Sequence, residues 1–170
     1  QLRENGGFDA VVGNPPWGAS LQGDELDYLV DKFTVVPTKV KDTYLYFIAK
    51  ALMVLNQGAR LSLIVPNTWF LINYAKDFRK ALLSLNLEEV IDHGDGVFPD
   101  ATVESATFLL ENRNSFQESC RAVRIQNGEV LFDHEADKSF WLKDDYHRII
   151  LEIDKPTGRW LAEVEIKSEL

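Results

Sequence analysis

Asn14-Pro15-Pro16-Trp17 brings an amide, two prolines that lack a backbone donor and a flat aromatic ring into one short loop. Those residue types suit one kind of chemistry. The exocyclic amino group of adenine or cytosine is a poor nucleophile, because its lone pair is delocalised into the ring. Two acceptors that receive its N–H bonds can draw the nitrogen toward tetrahedral geometry and release the pair. The Asn14 side-chain oxygen and the Pro15 carbonyl are the candidates. Pro15 holds Asn14 extended and Pro16 does the same to Pro15, so both oxygens are preorganised. Trp17 offers a face for the base, a stacking contact of roughly 1–3 kcal/mol. A base inside a duplex cannot reach such a site and would have to flip out. The plain alternative is a rigid turn with a Trp in the core.

The elements around the loop must position it. Gly7 to Gly13, small and β-branched, reads as a buried parallel strand that stops at Asn14. Ligands of open α/β sheets sit at that carboxyl end. Asp24 is set to cap a helix with Leu26, Leu29, Val30 and Phe33 on one face, followed by a loop over 34–41 interrupted by Pro37. Asp42 and Thr43 offer caps for a stronger helix with Leu45, Ile48, Ala49, Leu52 and Leu55 inward, ended by Gly58. A strand over Leu61–Val65, a helix over Tyr74–Ser84 and strands over Glu88–Asp92 and Val103–Glu111 follow. This alternation predicts an α/β layer with a largely parallel sheet, its last two strands paired antiparallel at one edge.

Beyond Arg113 the pattern changes. Val123 to Phe132 reads as a hairpin turning at Asn127-Gly128. A final helix is expected through Tyr146, Ile149, Ile150 and Ile153, ended by Pro156 and Gly158. Glu163–Lys167 then reads as the start of a new strand. We therefore expect residues 1–112 to be the catalytic half of a domain, and residues 113–170 an extension and linker.

Composition sets bounds. A chain of 170 residues with 45% hydrophobic content suffices for a proper core. The net charge of −9 argues against this segment gripping a phosphate backbone unaided. No run is long enough for a membrane span, and the single cysteine, Cys120, points to a cytoplasmic setting. Cys120 has no base partner in the sequence and reads as inert. His93, His134 and His147 are far apart, read as surface groups and suggest no metal. Because the chain opens at Gln1 directly before a strand, it reads as an internal piece of a larger protein.

Phe8-Asp9-Ala10-Val11-Val12-Gly13-Asn14-Pro15-Pro16-Trp17-Gly18 resembles motif IV of the DNA adenine-N6 methyltransferases, which use S-adenosylmethionine. The similarity runs over roughly the first 110 residues. Tyr44–Leu52 and Gly58–Trp69 follow that family's helix–strand pattern, and Val97–Val103 resembles its motif VIII. The version most similar is the gamma-order enzyme of restriction–modification or related phage-defence systems. The resemblance implies the C-terminal, catalytic half of a Rossmann-like class I methyltransferase sheet, with a small hairpin-and-helix extension. It implies Asn14, Pro15, Pro16, Trp17 and Phe98 at the target base, with Phe98 packing against the flipped adenine as a second wall.

The same resemblance puts the glycine-rich S-adenosylmethionine motif upstream of Gln1, with Phe47 near the cofactor's adenine. Partners would be double-stranded DNA and a target-recognition domain or specificity subunit, whose entry Leu161–Ser168 resembles. Residues 1–170 alone are then expected to be inactive, and to self-associate through the open edge of the first strand. Two other readings stand beside this one. Protein-glutamine and some RNA methyltransferases use a similar loop, and a non-catalytic interaction module could keep the fold.

Overall fold

The computed structural model describes residues 6–18, 21–34, 36, 42–98, 103–114 and 117–168, without the side chains of 162–168. Pro37, and residues 99–102 of the segment resembling motif VIII, lie outside them. The strands are β1 (Phe8–Gly13), β2 (Leu55–Pro66), β3 (Asn86–Gly94), β4 (Ser105–Glu111), β5 (Ser119–Gln126) and β6 (Glu129–Asp137). The helices are α1 (Gly23–Lys32), α2 (Thr43–Val54), α3 (Lys76–Leu83), α4 (Lys138–Lys143) and α5 (Lys155–Ser168). Short 3-10 turns at Asn67–Phe70 and Asn73–Ala75 join β2 to α3. The six strands form one open sheet in the order β1-β2-β4-β3-β5-β6. It is an α/β fold.

The sheet is mixed rather than largely parallel. β1 with β2 and β3 with β5 are parallel, whereas β2–β4, β3–β4 and β5–β6 are antiparallel. Residues 95–104 are too few for the crossover that a parallel β3–β4 pair would need. That pair is antiparallel as expected, but β4 sits inside the sheet between β2 and β3, with Ala106, Phe108 and Leu110 buried.

Burial explains the centre. α2 packs Leu45, Ile48 and Ala49 against β2, where Leu61, Leu63 and Val65 are buried. Trp69, fully buried, meets Phe78 and Phe108 edge-on at 5.9 Å each. Such offset contacts suit aromatic quadrupoles. Close approach also fixes Gly7, where a Cβ would fall 2.1 Å from Asn56 Oδ1.

Several boundaries differ from expectation. α1 begins at Gly23 behind Gln22, without a side-chain cap, and buries none of its residues, so Asp24 lies in its first turn. α2 ends at Val54 and passes directly into β2. Gly58 is therefore a strand residue with φ +77°, its N–H bonded to the Asn112 carbonyl. β1 is parallel, as read, but it is an edge strand whose Val12 is 81% exposed.

The hairpin forms at Asn127-Gly128, both with positive φ, as a two-residue turn between twisted strands requires. Residues 144–153, in contrast, form no helix, because their polar groups bond elsewhere. Asp144 accepts the Tyr146 and Arg148 N–H groups, and Ile149 N donates to Phe70 O at 3.0 Å. Trp141 and His134 bond the carbonyls of Ile150 and Leu151. Tertiary partners thus outweigh the helical period. Asp154 instead caps α5 through the Thr157 N–H at 2.9 Å. Pro156 then falls in the first turn, where its missing N–H costs nothing, and Gly158 lies within the helix. Helix α5 also replaces the strand expected over Glu163–Lys167.

Arg79 of α3 secures that irregular strap. Its buried guanidinium donates to Trp69 O at 2.6 Å, Ile72 O at 2.8 Å, Tyr146 O at 2.7 Å and His147 O at 3.0 Å. Burial lowers its pKa to about 10, still well above neutrality. A charge with several carbonyl dipoles around it is tolerated where an isolated one would not be.

Candidate base pocket

β1 ends at Gly13 and releases the chain into the Asn14–Trp17 loop at the sheet's carboxyl edge. The loop is pinned by its neighbour helix. Thr43, the first residue of α2, donates its hydroxyl to the Pro16 carbonyl at 2.8 Å. Pro15 is buried, whereas Asn14 and Pro16 are exposed. The Asn14 side chain is thereby left accessible on a loop held by Thr43.

The loop opens onto a cavity of about 910 Å³ lined by Asn14, Pro15, Pro16, Trp17 and Gly18. Phe98 and Val103, both in the connection between β3 and β4, line it as well. All five residues singled out for the target base therefore line one space. Trp17 and Phe98 lie 5.0 Å apart, centroid to centroid, with planes at 89°. Two rings at a right angle make a corner, so a planar base stacked on one presents its edge to the other. The volume falls in the range of small-molecule sites.

A polar part of the lining went unread in the sequence. Asp42, Tyr44, Thr68 and Tyr74 line the same cavity. Tyr74 donates to Asp42 Oδ2 at 2.7 Å, and the Tyr44 and Thr68 hydroxyls lie 3.3 Å apart. Burial pushes the Tyr44 phenol up to about 12, and burial together with the bond to Asp42 pushes Tyr74 up as well. Both phenols are therefore protonated at neutral pH. Asp42 and Thr43 read as helix caps, and Tyr74 as a helix start, because sequence spacing shows only their own helix. Their convergence depends on how α2 and the turns after β2 pack.

Phe47 stands apart. It is 49% exposed on α2 and does not line the cavity. Phe47 is the one residue sequence reasoning offered for the cofactor. Cys120 is buried, and its thiol is pushed up to about 12, chiefly by burial, so it is unreactive. The three histidines are partly buried rather than surface groups. His93 Nε2 lies 2.7 Å from Thr107 Oγ1, and His134 Nε2 lies 2.8 Å from Leu151 O.

The model of the Eco57I restriction-modification methylase family matches residues 1–98. Type II methyltransferase M.VspI of Vibrio sp. (strain 343) is 30% identical over 87 residues, 51% of this chain and 21% of that protein. The type II restriction enzyme and methyltransferase RM.Eco57I of Escherichia coli is 31% identical over 115 residues, 63% of this chain and 11% of that protein. The chain thus spans a minor part of either relative. Among solved structures, the type I restriction-modification methyltransferase subunit from Streptococcus thermophilus superposes with a TM-score of 0.69 at 17% identity. That match covers 90% of this chain and 39% of the other. A putative class I S-adenosylmethionine-dependent methyltransferase from Listeria monocytogenes gives 0.56 at 15% identity, covering 70% and 37%. These likenesses place the fold among class I S-adenosylmethionine-dependent methyltransferases. The family match covers more than half of the sequence, and the chain belongs to the Eco57I restriction-modification methylase family.

Proposed function

We propose that this chain forms the target-base half of a DNA methyltransferase that methylates the N6 amino group of a flipped-out adenine in restriction–modification. The observation that carries the proposal is the single cavity shared by Asn14, Pro15 and the orthogonal Trp17–Phe98 pair. Asn14 Oδ1 and the Pro15 carbonyl accept the two amino N–H bonds and free the nitrogen lone pair. Trp17 stacks on the base, and Phe98 closes its edge. Pro16 and Thr43 hold the loop rigid, so no reorganisation is needed at the moment of reaction.

S-adenosylmethionine would supply an electrophilic methyl group. Phe47 is the candidate to cover its adenine, with the main cofactor motif provided upstream of Gln1. In this reading residues 1–112 are the catalytic half, and residues 113–170 lead toward a target-recognition domain or specificity subunit. The intact protein would act on double-stranded DNA in the cytoplasm. Residues 1–170 alone would transfer no methyl group and would self-associate through β1, whose outer edge is unpaired among the described residues.

The test offers radiolabelled S-adenosylmethionine to the intact protein with DNA, RNA and a release factor in parallel. Label in DNA supports the reading. Label only in RNA or protein refutes it in favour of another amino-group methyltransferase, and no label in any of them favours an interaction module.

A further inference from the structure

Asp42 occupies the N-cap position of α2. An aspartate there ordinarily accepts an N–H of the first turn. This one makes no such bond. Its carboxylate is held instead by the Tyr74 hydroxyl at 2.7 Å, on the wall of the cavity that also contains Asn14, Pro15 and Trp17. Among the described residues that line the cavity, Asp42 is the one that carries a carboxylate.

The chemistry of the loop leaves a place for that charge. Asn14, Pro15, Pro16 and Trp17 are all neutral, so they orient an amino group without offering a counter-charge. The amino nitrogen gives its lone pair to a methyl carbon as the carbon–sulfur pair returns to sulfur. It then carries positive charge until one N–H proton leaves to water. A carboxylate held at the cavity wall attracts such a cation directly, and more strongly near a protein surface than across bulk water. The same charge repels the carbonyl edges of thymine and guanine.

We propose that Asp42 is the counter-charge of the base pocket, a specificity-determining residue that favours amino-bearing, cation-forming bases and is held in place by Tyr74. The facing groups agree with this role. Tyr74 donates its hydroxyl to Asp42, and both Tyr44 and Tyr74 stay protonated at neutral pH, so neither phenol adds a negative charge to the cavity. The inference rests on the proposed amino-methylation.

The test uses the intact protein and duplexes bearing the site that the wild type modifies. One carries adenine at the target position, and one carries 1-methyladenine, whose amino edge is cationic at neutral pH. A third carries 2-aminopurine there, to report base flipping by fluorescence. Asp42→Asn keeps the shape and the acceptor for Tyr74 but removes the charge. We expect it to lose about tenfold more affinity for the cationic duplex than for the neutral one. Tyr74→Phe, which leaves the carboxylate unanchored, should shift the ratio the same way by less. Equal losses on both duplexes, or none, in either variant would overturn the role of Asp42 while a normal 2-aminopurine signal leaves the pocket reading intact. Absence of that signal in the wild type would overturn the pocket reading and this inference with it.

Discussion

β1 and β5 each run parallel to one neighbour, yet they are built in opposite ways. β1 leaves Phe8, Asp9, Ala10 and Val12 exposed and ends in a loop whose Asn14 is open to ligand. β5 buries Cys120, Ala122 and Val123, and its surroundings are cross-tied. Arg121 bonds Glu89 and Asp133 across neighbouring strands, Lys138 donates to Leu87 O at 3.0 Å, and Arg79 clamps the strap beyond α4. Charged groups around β5 are spent on one another, whereas Asn14 at the end of β1 is exposed and lines the cavity. Most cross-ties thereby lie on the β5 side of the sheet and the open loop on the β1 side, with Arg79 also holding the Ile72 carbonyl of the cavity wall.

That separation can be broken by experiment. Arg79→Met strips four carbonyls of their donor, and we expect it to cost about 3 kcal/mol or more in urea unfolding, since each buried acceptor left unpaired costs about 1–3 kcal/mol. Asn14→Ala should stay within about 0.5 kcal/mol of the wild type in the same assay. Comparable losses in the two variants would end the distinction. Next in size is Phe98→Ala. It should weaken flipped-base binding by about 0.5–1.5 kcal/mol, the size of an edge-to-face contact, read as loss of 2-aminopurine fluorescence, with little effect on the unfolding midpoint.

The smallest effect concerns His93. Burial holds its pKa below the ordinary 6.5. The unfolded chain therefore takes up its proton first as pH falls. Stability from this residue is complete above about 6.5 and is lost progressively as pH falls through the folded value. His93→Gln should flatten the slope of stability against pH below 6.5, and an unchanged slope would assign it to other groups.

Much of the β1 side was readable from residue order, because its signals are local. A β-branched run ending in Asn-Pro-Pro-Trp announces a strand and a rigid loop. Asn127-Gly128 announces a hairpin for the same reason. The mistakes arose where distant groups decide. Ile149, Ile150 and Ile153 have helical spacing, but Phe70 O, Trp141 Nε1 and Asp144 take the backbone and side-chain bonds that a helix would need. Gly58 looked like a helix stop until Asn112 claimed it for β2. Asp42 looked like a cap, and only the packing of Tyr74 against it reveals a carboxylate at the cavity. The interior position of β4 likewise follows from sheet assembly, which no single strand encodes.

The central claim is that the Asn14 loop prepares an adenine amino group for methylation, and nucleoside analysis of treated DNA tests it most directly. DNA incubated with the intact protein and S-adenosylmethionine should accumulate N6-methyladenine. With Asn14→Ala the rate should fall by about a hundredfold or more, as when one preorganised polar group is removed from an active site. Undiminished N6-methyladenine in that variant, or a methylated base other than adenine in the wild type, would contradict the account.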